Sequence, residues 1–496
     1  MKKYIKPNIV LVLIIILYFV LALPFLSSSP SIWSDEGSFS ETAWYFIDGL
    51  GEHSVFRQPL YTGYLNYENF SASPFYLYFL FLSLSFKLFG LGILQARLIS
   101  FFSGFILILF FYFFVKKNFG EYCALISTSL LVCNPLFILS ARIVRPEMLT
   151  TLFSFLAFIF ILNRAHERRL FLLFLSGVFV VLSGLSHPNG LYISLAAFVL
   201  VLMKKQHWKD VSFYLFGIII GSIPLVIFIF INHDLFITQF LDYSYRLPHS
   251  FTQLGLNFFH EPKRWLTGIT VPFSFILGVF AFIFLALRYQ KLKEYYAYLI
   301  ILIGSFSFFE YHKYYGYLLL TLPFFCILSG ILFMTLKRNI KSIIIPLFLL
   351  ILFLYVGVVE WKIIQDTQYS YINYCQEIKQ VIPETIKEEK IILGDASLWF
   401  CFPDGNLREI MTQIKIKDIL GFSFKETLQW QNITYIVLDP GTQSGLFENK
   451  LIRGDPRGSF GDTNGYIEAI NSCTQIAEVT EPYNRYTTTR TIIYKC

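Results

Sequence analysis

A chain of 496 residues that is 55% hydrophobic, 19% aromatic and 15% charged lacks the polar surface to clothe a water-soluble body of its size, since soluble domains average about 25% charged residues. The excess of 40 lysines and arginines over 33 acids is read as basic cytoplasmic loops rather than nucleic-acid binding. Composition therefore excludes a soluble multidomain enzyme and predicts an integral membrane protein with several spans and a distinct C-terminal part.

The first residues, Met1 to Lys6, are basic, and an apolar run from about Ile9 to Phe25 follows. The run is long for the core of a signal peptide, and Ser27-Ser28-Ser29-Pro30 has no small-x-small cleavage pattern. It is predicted to be a retained first helix with its N-terminus in the cytoplasm. Further apolar runs of spanning length lie near 98–115, 121–140, 146–162, 170–187, 189–203, 212–231, 270–288, 295–310, 316–335 and 342–360. Lys116-Lys117, the cluster Arg164 to Arg169, Lys204-Lys205, Arg288/Lys291/Lys293 and Lys337/Arg338/Lys341 fall at every second connection, as cytoplasmic loops should. Residues 74–89 would spoil that parity if they crossed; being short and carrying Lys87, they are read as an interfacial or re-entrant helix. The expectation is a polytopic α-helical protein of about 11 transmembrane helices, within a range of 11–13, occupying residues 1–360, with residues 27–95 as its first outer loop.

Past about Trp361 charges become frequent. Short β-like runs appear at Lys390–Leu393, Tyr435–Leu438 and Thr491–Tyr494, behind a helical pattern around Cys375 to Ile386. Residues 361–496 are thus expected to form a small extracytoplasmic α/β domain. Cys123, Cys133 and Cys326 sit in apolar runs as small buried residues. Cys375, Cys401, Cys473 and Cys496 lie in the tail, where an outer location permits disulfides in any of three pairings. No cysteine spacing suggests a metal knuckle.

The parity sends the unusual residues to one face. After the first span comes Ser34-Asp35-Glu36-Gly37; the acids suit the first turn of a helix running through Glu41 to Ile47, and a cap also fixes a carboxylate in space. Ala141-Arg142-Ile143-Val144-Arg145-Pro146-Glu147 joins two spans with almost no loop. Pro146 suits a first helical turn, which puts Glu147 at that helix's positive end. These charges either close a tight turn or face Asp35-Glu36 across a shared cavity. Glu310-Tyr311-His312-Lys313-Tyr314-Tyr315 places cations and hydroxyls where a phosphate would be held, or else snorkels in an aromatic belt. His187-Pro188-Asn189-Gly190 and the stretch Asn232 to Thr267 are further outward connections.

Asp35-Glu36, Ser73-Pro74-Phe75-Tyr76-Leu77-Tyr78 with Phe86-Lys87-Leu88-Phe89-Gly90, Ala96-Arg97-Leu98, Asn134-Pro135-Leu136-Phe137, Arg142 to Leu149, and Lys313-Tyr314-Tyr315 before Pro323 together resemble the C-superfamily (GT-C) of integral-membrane glycosyltransferases. The group is that of the protein O-mannosyltransferases and the lipid A aminoarabinose transferase. Here Tyr67-Glu68-Asn69-Phe70 lacks a basic residue and a proline found in many relatives, and Glu147 stands where aspartate is common. The resemblance implies an inverting transfer of one sugar from a polyprenyl-phosphate donor to a hydroxyl of a lipid, glycan or protein at the outer face. Asp35 would be the catalytic base. Glu36, Glu147 and His187 would bind sugar or acceptor, and Arg142, Arg145, His312, Lys313 and Tyr315 the donor phosphate. No metal ligand is assigned, no cofactor is certain, and a divalent metal is left open. The expected partners are the lipid-linked donor, the acceptor and membrane lipid, with no nucleic acid, in a multi-pass protein of the plasma (inner) membrane. A flippase for lipid-linked sugars, the alternative, would need polar residues at several depths along a path.

Overall fold

The computed structural model describes residues 7–30, 34–47, 76–163, 168–204, 207–231, 251–266, 272–310, 314–336, 371–382, 391–403, 407–410, 423–439, 464–480 and 490–496, with a few single positions between them. They form a helical membrane module followed by a small α/β unit. The module begins with α1 (Pro7–Ala22), α2 (Ser34–Ile47), α3 (Tyr76–Phe89), α4 (Ile93–Phe119), α5 (Glu121–Val132) and α6 (Pro135–Ala141). It continues with α7 (Glu147–Leu162), α8 (Arg169–Ser186), α9 (Gly190–Lys204), α10 (Trp208–Ile231), α11 (Phe251–Leu266), α12 (Pro272–Ala286), α13 (Lys293–Phe309) and α14 (Leu322–Thr335).

Helices α4, α8 and α10 are each long and apolar enough to cross a bilayer alone, and with the shorter apolar helices they make a multi-pass membrane protein. The run expected at 121–140 is a broken element: α5 and α6 meet at 63°. Pro135 starts α6, and the Asn134 side chain accepts the Leu136 and Phe137 N–H groups at 2.9 and 3.3 Å, so a proline and a cap impose the bend. Helix α3 has 14 residues, about 21 Å at 1.5 Å per residue, against about 30 Å of hydrocarbon. It buries Tyr78, Phe79, Leu82 and Phe86 and leaves Leu80, Leu84 and Leu88 exposed. The run expected at 342–360 lies outside the described residues.

The C-terminal unit holds α15 (Tyr371–Val381), β1 (Ile391–Gly394), a 3₁₀ turn (Ala396–Cys401), β2 (Leu407–Glu409), α16 (Phe424–Trp430), β3 (Ile433–Leu438), α17 (Asn464–Asn471), β4 (Thr474–Thr480) and β5 (Arg490–Lys495). The strand order is β2-β1-β3-β5-β4, with β1 parallel to both neighbours and β5 antiparallel to β3 and β4. The two-residue alternation of strand side chains splits the core in two. Ile392, Tyr435, Val437 and Ile493 pack with Trp399 and α15, while Leu393, Ile436 and Leu438 pack with Phe424, Leu428 and Ile470. The first layer also takes in Ile93 and, partly buried, Ile32, Trp44 and Leu91, so the sheet unit rests on α2, the start of α4 and the connections before them. Of the three open pairings, the disulfides are Cys375–Cys401 and Cys473–Cys496.

Candidate active site

The first turn of α2 reads Ser34-Asp35-Glu36-Gly37. Successive helical positions are about 100° apart, so adjacent carboxylates face different surroundings. Glu36 points inward and is 0% exposed. Its oxygens accept from Nε and Nη2 of Arg97 at 2.9 Å each, and one also accepts the Val144 N–H at 2.9 Å. Arg97 is itself buried in α4, where its Nη1 and Nη2 donate to the carbonyls of Leu26 and Pro30 at 2.9 Å. This bidentate pair ties the helix, the preceding loop and the α6–α7 connection into one body.

Asp35 faces the other way, and its side chain is 53% exposed. It is ion-paired to Nη1 of Arg145. Arg145, 9% exposed at its side chain, also donates from Nε to Glu147 Oε1 at 2.9 Å, with Nη2 2.8 Å from the same oxygen. Its guanidinium lies 4.6 Å from the centroid of the Tyr314 ring. Asp35, Arg145 and Glu147 therefore converge, with the arginine between the two carboxylates. Pro146 lets the chain turn tightly, and its carbonyl accepts the Thr150 N–H at 2.9 Å in the first turn of α7. Glu147 follows at 5% side-chain exposure, at the positive end of that helix.

Arg142 does not join this group. It is 2% exposed, and its Nη1 and Nη2 donate to the carbonyls of Leu21 (2.9 Å), Pro24 (2.8 Å) and Ser29 (3.1 Å). A guanidinium satisfying the carbonyl end of α1 is a clamp on the first helix. Arg142 and Arg145, both expected at the donor phosphate, leave the short connection in different directions. His312 and Lys313 lie outside the described residues. Tyr315 packs against the Tyr314 ring at 4.9 Å between centroids.

A second polar group adjoins the first. Tyr317 stands edge-on to Tyr314 at 5.3 Å and to His187 at 5.2 Å. His187 is 6% exposed, and its Nδ1 accepts the Asn189 N–H at 3.0 Å, closing the α8–α9 turn. Across Tyr317, at 5.9 Å from its centroid, lies Arg264 of α11. Arg264 is 0% exposed, 3.3 Å from Glu261 and 5.3 Å from the Phe306 ring. Its Nη1 has no hydrogen-bond partner among the described residues. A buried guanidinium with an unsatisfied edge is a strong anion attractor. The stretch 232–267 was expected only as a connection, yet Arg264 six residues before the next apolar run, with Glu261 one helical turn earlier, carried the signal. Among the described residues no three His, Cys, Asp or Glu side chains stand close enough to hold a metal ion, and Asp35 and Glu147 are bridged by a guanidinium.

The family profile of the dolichyl-phosphate-mannose-protein mannosyltransferases matches residues 72–230. No curated protein matches the chain in sequence. Among solved structures, ArnT from Cupriavidus metallidurans superposes in its apo state with a TM-score of 0.61 at 14% identity, over 98% of this chain and 97% of that one. The same protein bound to undecaprenyl phosphate gives 0.54 at 13% identity, with the same coverage of both chains. The Archaeoglobus fulgidus oligosaccharyltransferase AglB, with an inhibitory peptide and a dolichol-phosphate, gives 0.55 at 13% identity over 88% of this chain and 70% of that one. The motifs around Asp35, Arg97, Arg145 and Pro146 thus led to the fold that this chain shares with these proteins.

Proposed function

We propose that this chain, which has the fold of the GT-C membrane glycosyltransferases, is an inverting enzyme that moves one sugar from a polyprenyl-phosphate donor to a hydroxyl acceptor at the outer face of the plasma (inner) membrane. The family match to mannosyltransferases that use a dolichyl-phosphate sugar supports the donor class. So does the presence of undecaprenyl phosphate and dolichol-phosphate in the two structural relatives. Residues 1–360 form the membrane module and 361–496 an outer domain, with the N-terminus in the cytoplasm. Two disulfides in the tail support an oxidising compartment for it.

The observation that carries the mechanism is the contrast between neighbours. Asp35 is half-exposed, whereas Glu36 and Glu147 are almost wholly enclosed. Asp35 is the carboxylate an acceptor hydroxyl can reach, and its ion pair with the enclosed Arg145 aims it. It takes the hydroxyl proton as the oxygen attacks the anomeric carbon, and the lipid phosphate leaves from the opposite side of the sugar ring. Cations placed beforehand stabilise the charge growing on that phosphate. We assign this to Arg264, with Lys313, His312 and Tyr315 as the further candidates. Arg145 contributes to the same field, Glu147 and His187 line the sugar or acceptor side, and Glu36 holds the helix that bears the base. Charges gathered at one end of the module favour an enzyme over a flippase, which needs polar groups along a path.

The test is release of free polyprenyl phosphate by the purified protein from a membrane extract of polyprenyl-phosphate sugars and envelope acceptors. Asp35→Asn should lower it by about 10²–10⁴-fold, the worth of a positioned base, while the protein still inserts and binds lipid phosphate. Turnover near that of the parent would refute the assignment.

A further inference from the structure

Asp35 is held from two sides, and one of them belongs to the outer domain. Inward, Glu36 locks α2 to Arg97. Outward, the turn of α2 meets the segment that opens the 3₁₀ turn of the sheet unit. Asp395 sits there, directly after β1, and its Oδ1 accepts the Ser397 N–H at 2.8 Å as the cap of that turn. The Ser34 side chain, one residue before Asp35, lies beside the same carboxyl. At Gly37 the two backbones touch so closely that a Cβ would overlap the Ala396 carbonyl oxygen.

The segment is itself fastened. Tyr371 donates its O–H to the Ser397 carbonyl at 2.5 Å, Trp399 is buried in the core, and Cys401 is disulfide-bonded to Cys375 of α15. A rigid outer segment thus presses on the helical turn that presents the proposed base. Burial pushes the Asp395 carboxyl above the usual range, against the hydrogen bond from Ser397 and the Ser34 side chain beside it, and the Asp35 charge nearby adds to the rise.

We propose that Asp395, in the outer domain, is a positioning residue for Asp35: through the 3₁₀ turn it caps, which meets α2 at Gly37, and with Ser34 beside it, it fixes the first turn of α2 from outside, as Glu36 fixes it from inside. This rests on the reading of Asp35 as the base, and it makes the outer domain a working part of the site.

The experiment uses the full-length protein in membranes. Asp395→Ala removes the cap and the Ser34 contact. It should lower kcat by about 10–100-fold, the cost of a misplacement near 1 Å, with the donor KM within about twofold. Asp395→Asn keeps the acceptor for Ser397 and a polar partner for Ser34, and should restore kcat to within about threefold of the parent. Ser34→Ala, a milder change on the opposite side of the contact, should lower kcat in the same direction. Independently of turnover, an Asp35→Cys thiol should be alkylated several-fold faster by a membrane-impermeant maleimide when paired with Asp395→Ala, and at its original rate when paired with Asp395→Asn. Parent-like kcat in both Asp395→Ala and Ser34→Ala, equal loss in the Asn and Ala variants, or unchanged alkylation would each overturn the proposal. If Asp35→Asn itself proves active, the reading of the base fails, while the alkylation rates still decide the positioning.

Discussion

At Asp35 and Glu36 two adjacent acids do opposite work because a helical turn sends them in different directions. One enters a buried, doubly bonded pair with Arg97, and the other stays half open to water beside Arg145. The same division separates the arginines. Arg142 satisfies carbonyls at the end of α1, whereas Arg264 keeps an edge without a hydrogen-bond partner among the described residues. The two should therefore fail differently. Arg264→Ala is expected to weaken binding of polyprenyl phosphate by about 10–100-fold, the loss of one charge-assisted hydrogen bond of about 1.5–3 kcal/mol. Arg142→Ala is expected to lower thermal stability with per-molecule affinity within about twofold. Lipid-phosphate titration and thermal scanning of both variants check this, and the reverse pattern would exchange their roles. The sequence marked these residue types on one face by their position against the positive-inside trend. It did not tell the clamp from the candidate ligand, because which carbonyls a guanidinium meets depends on chain segments over a hundred residues away.

At the scale of elements, local signals were read well wherever one residue dictates the backbone. Pro135 after Asn134 marks a helix start, although the single run drawn through it proved to be two helices at 63°. In the tail, the β-like runs drawn around β1, β3 and β5 match strands, while β2 and β4 went unseen because Leu407–Glu409 is only 3 residues and Thr474–Thr480 is half polar. Helix crossings depend on partners that periodicity cannot name. Helices α8 and α10 meet backbone to backbone at Gly177 and Gly217, where a Cβ on Gly217 would overlap the Phe174 carbonyl. Close approach of this kind binds membrane helices that have no water-driven association. Gly217→Val should destabilise the protein by about 1–3 kcal/mol through overpacking, seen as a lower melting temperature in detergent, and a parent-like melt would mean the crossing can slide apart.

For the whole molecule, the sheet unit stands on α2, the start of α4 and the connections before them through Ile32, Trp44, Leu91 and Ile93, and its 3₁₀ turn bears on α2. The disulfides tie α15 to that turn and the start of β4 to the chain end. Cys473–Cys496 closes a 23-residue separation and does not include the 3₁₀ turn that meets α2, so paired serine substitution there is expected to cost the sheet unit about 2–4 kcal/mol with little change in turnover per folded molecule. Paired substitution of Cys375 and Cys401 should lower both. Limited proteolysis of the tail alongside the activity assay separates the two outcomes. By itself the sequence determined the solvent each segment prefers, the alternation of basic connections and the change of composition near residue 361, because these follow from residue type and spacing along the chain. Only the tertiary structure decided which carboxylate is locked and which is open, that Arg264 joins the tyrosines beside Arg145, and that Asp395 reaches Ser34, because such pairings arise when residues far apart in the chain are brought within hydrogen-bond range and no local pattern encodes that distance.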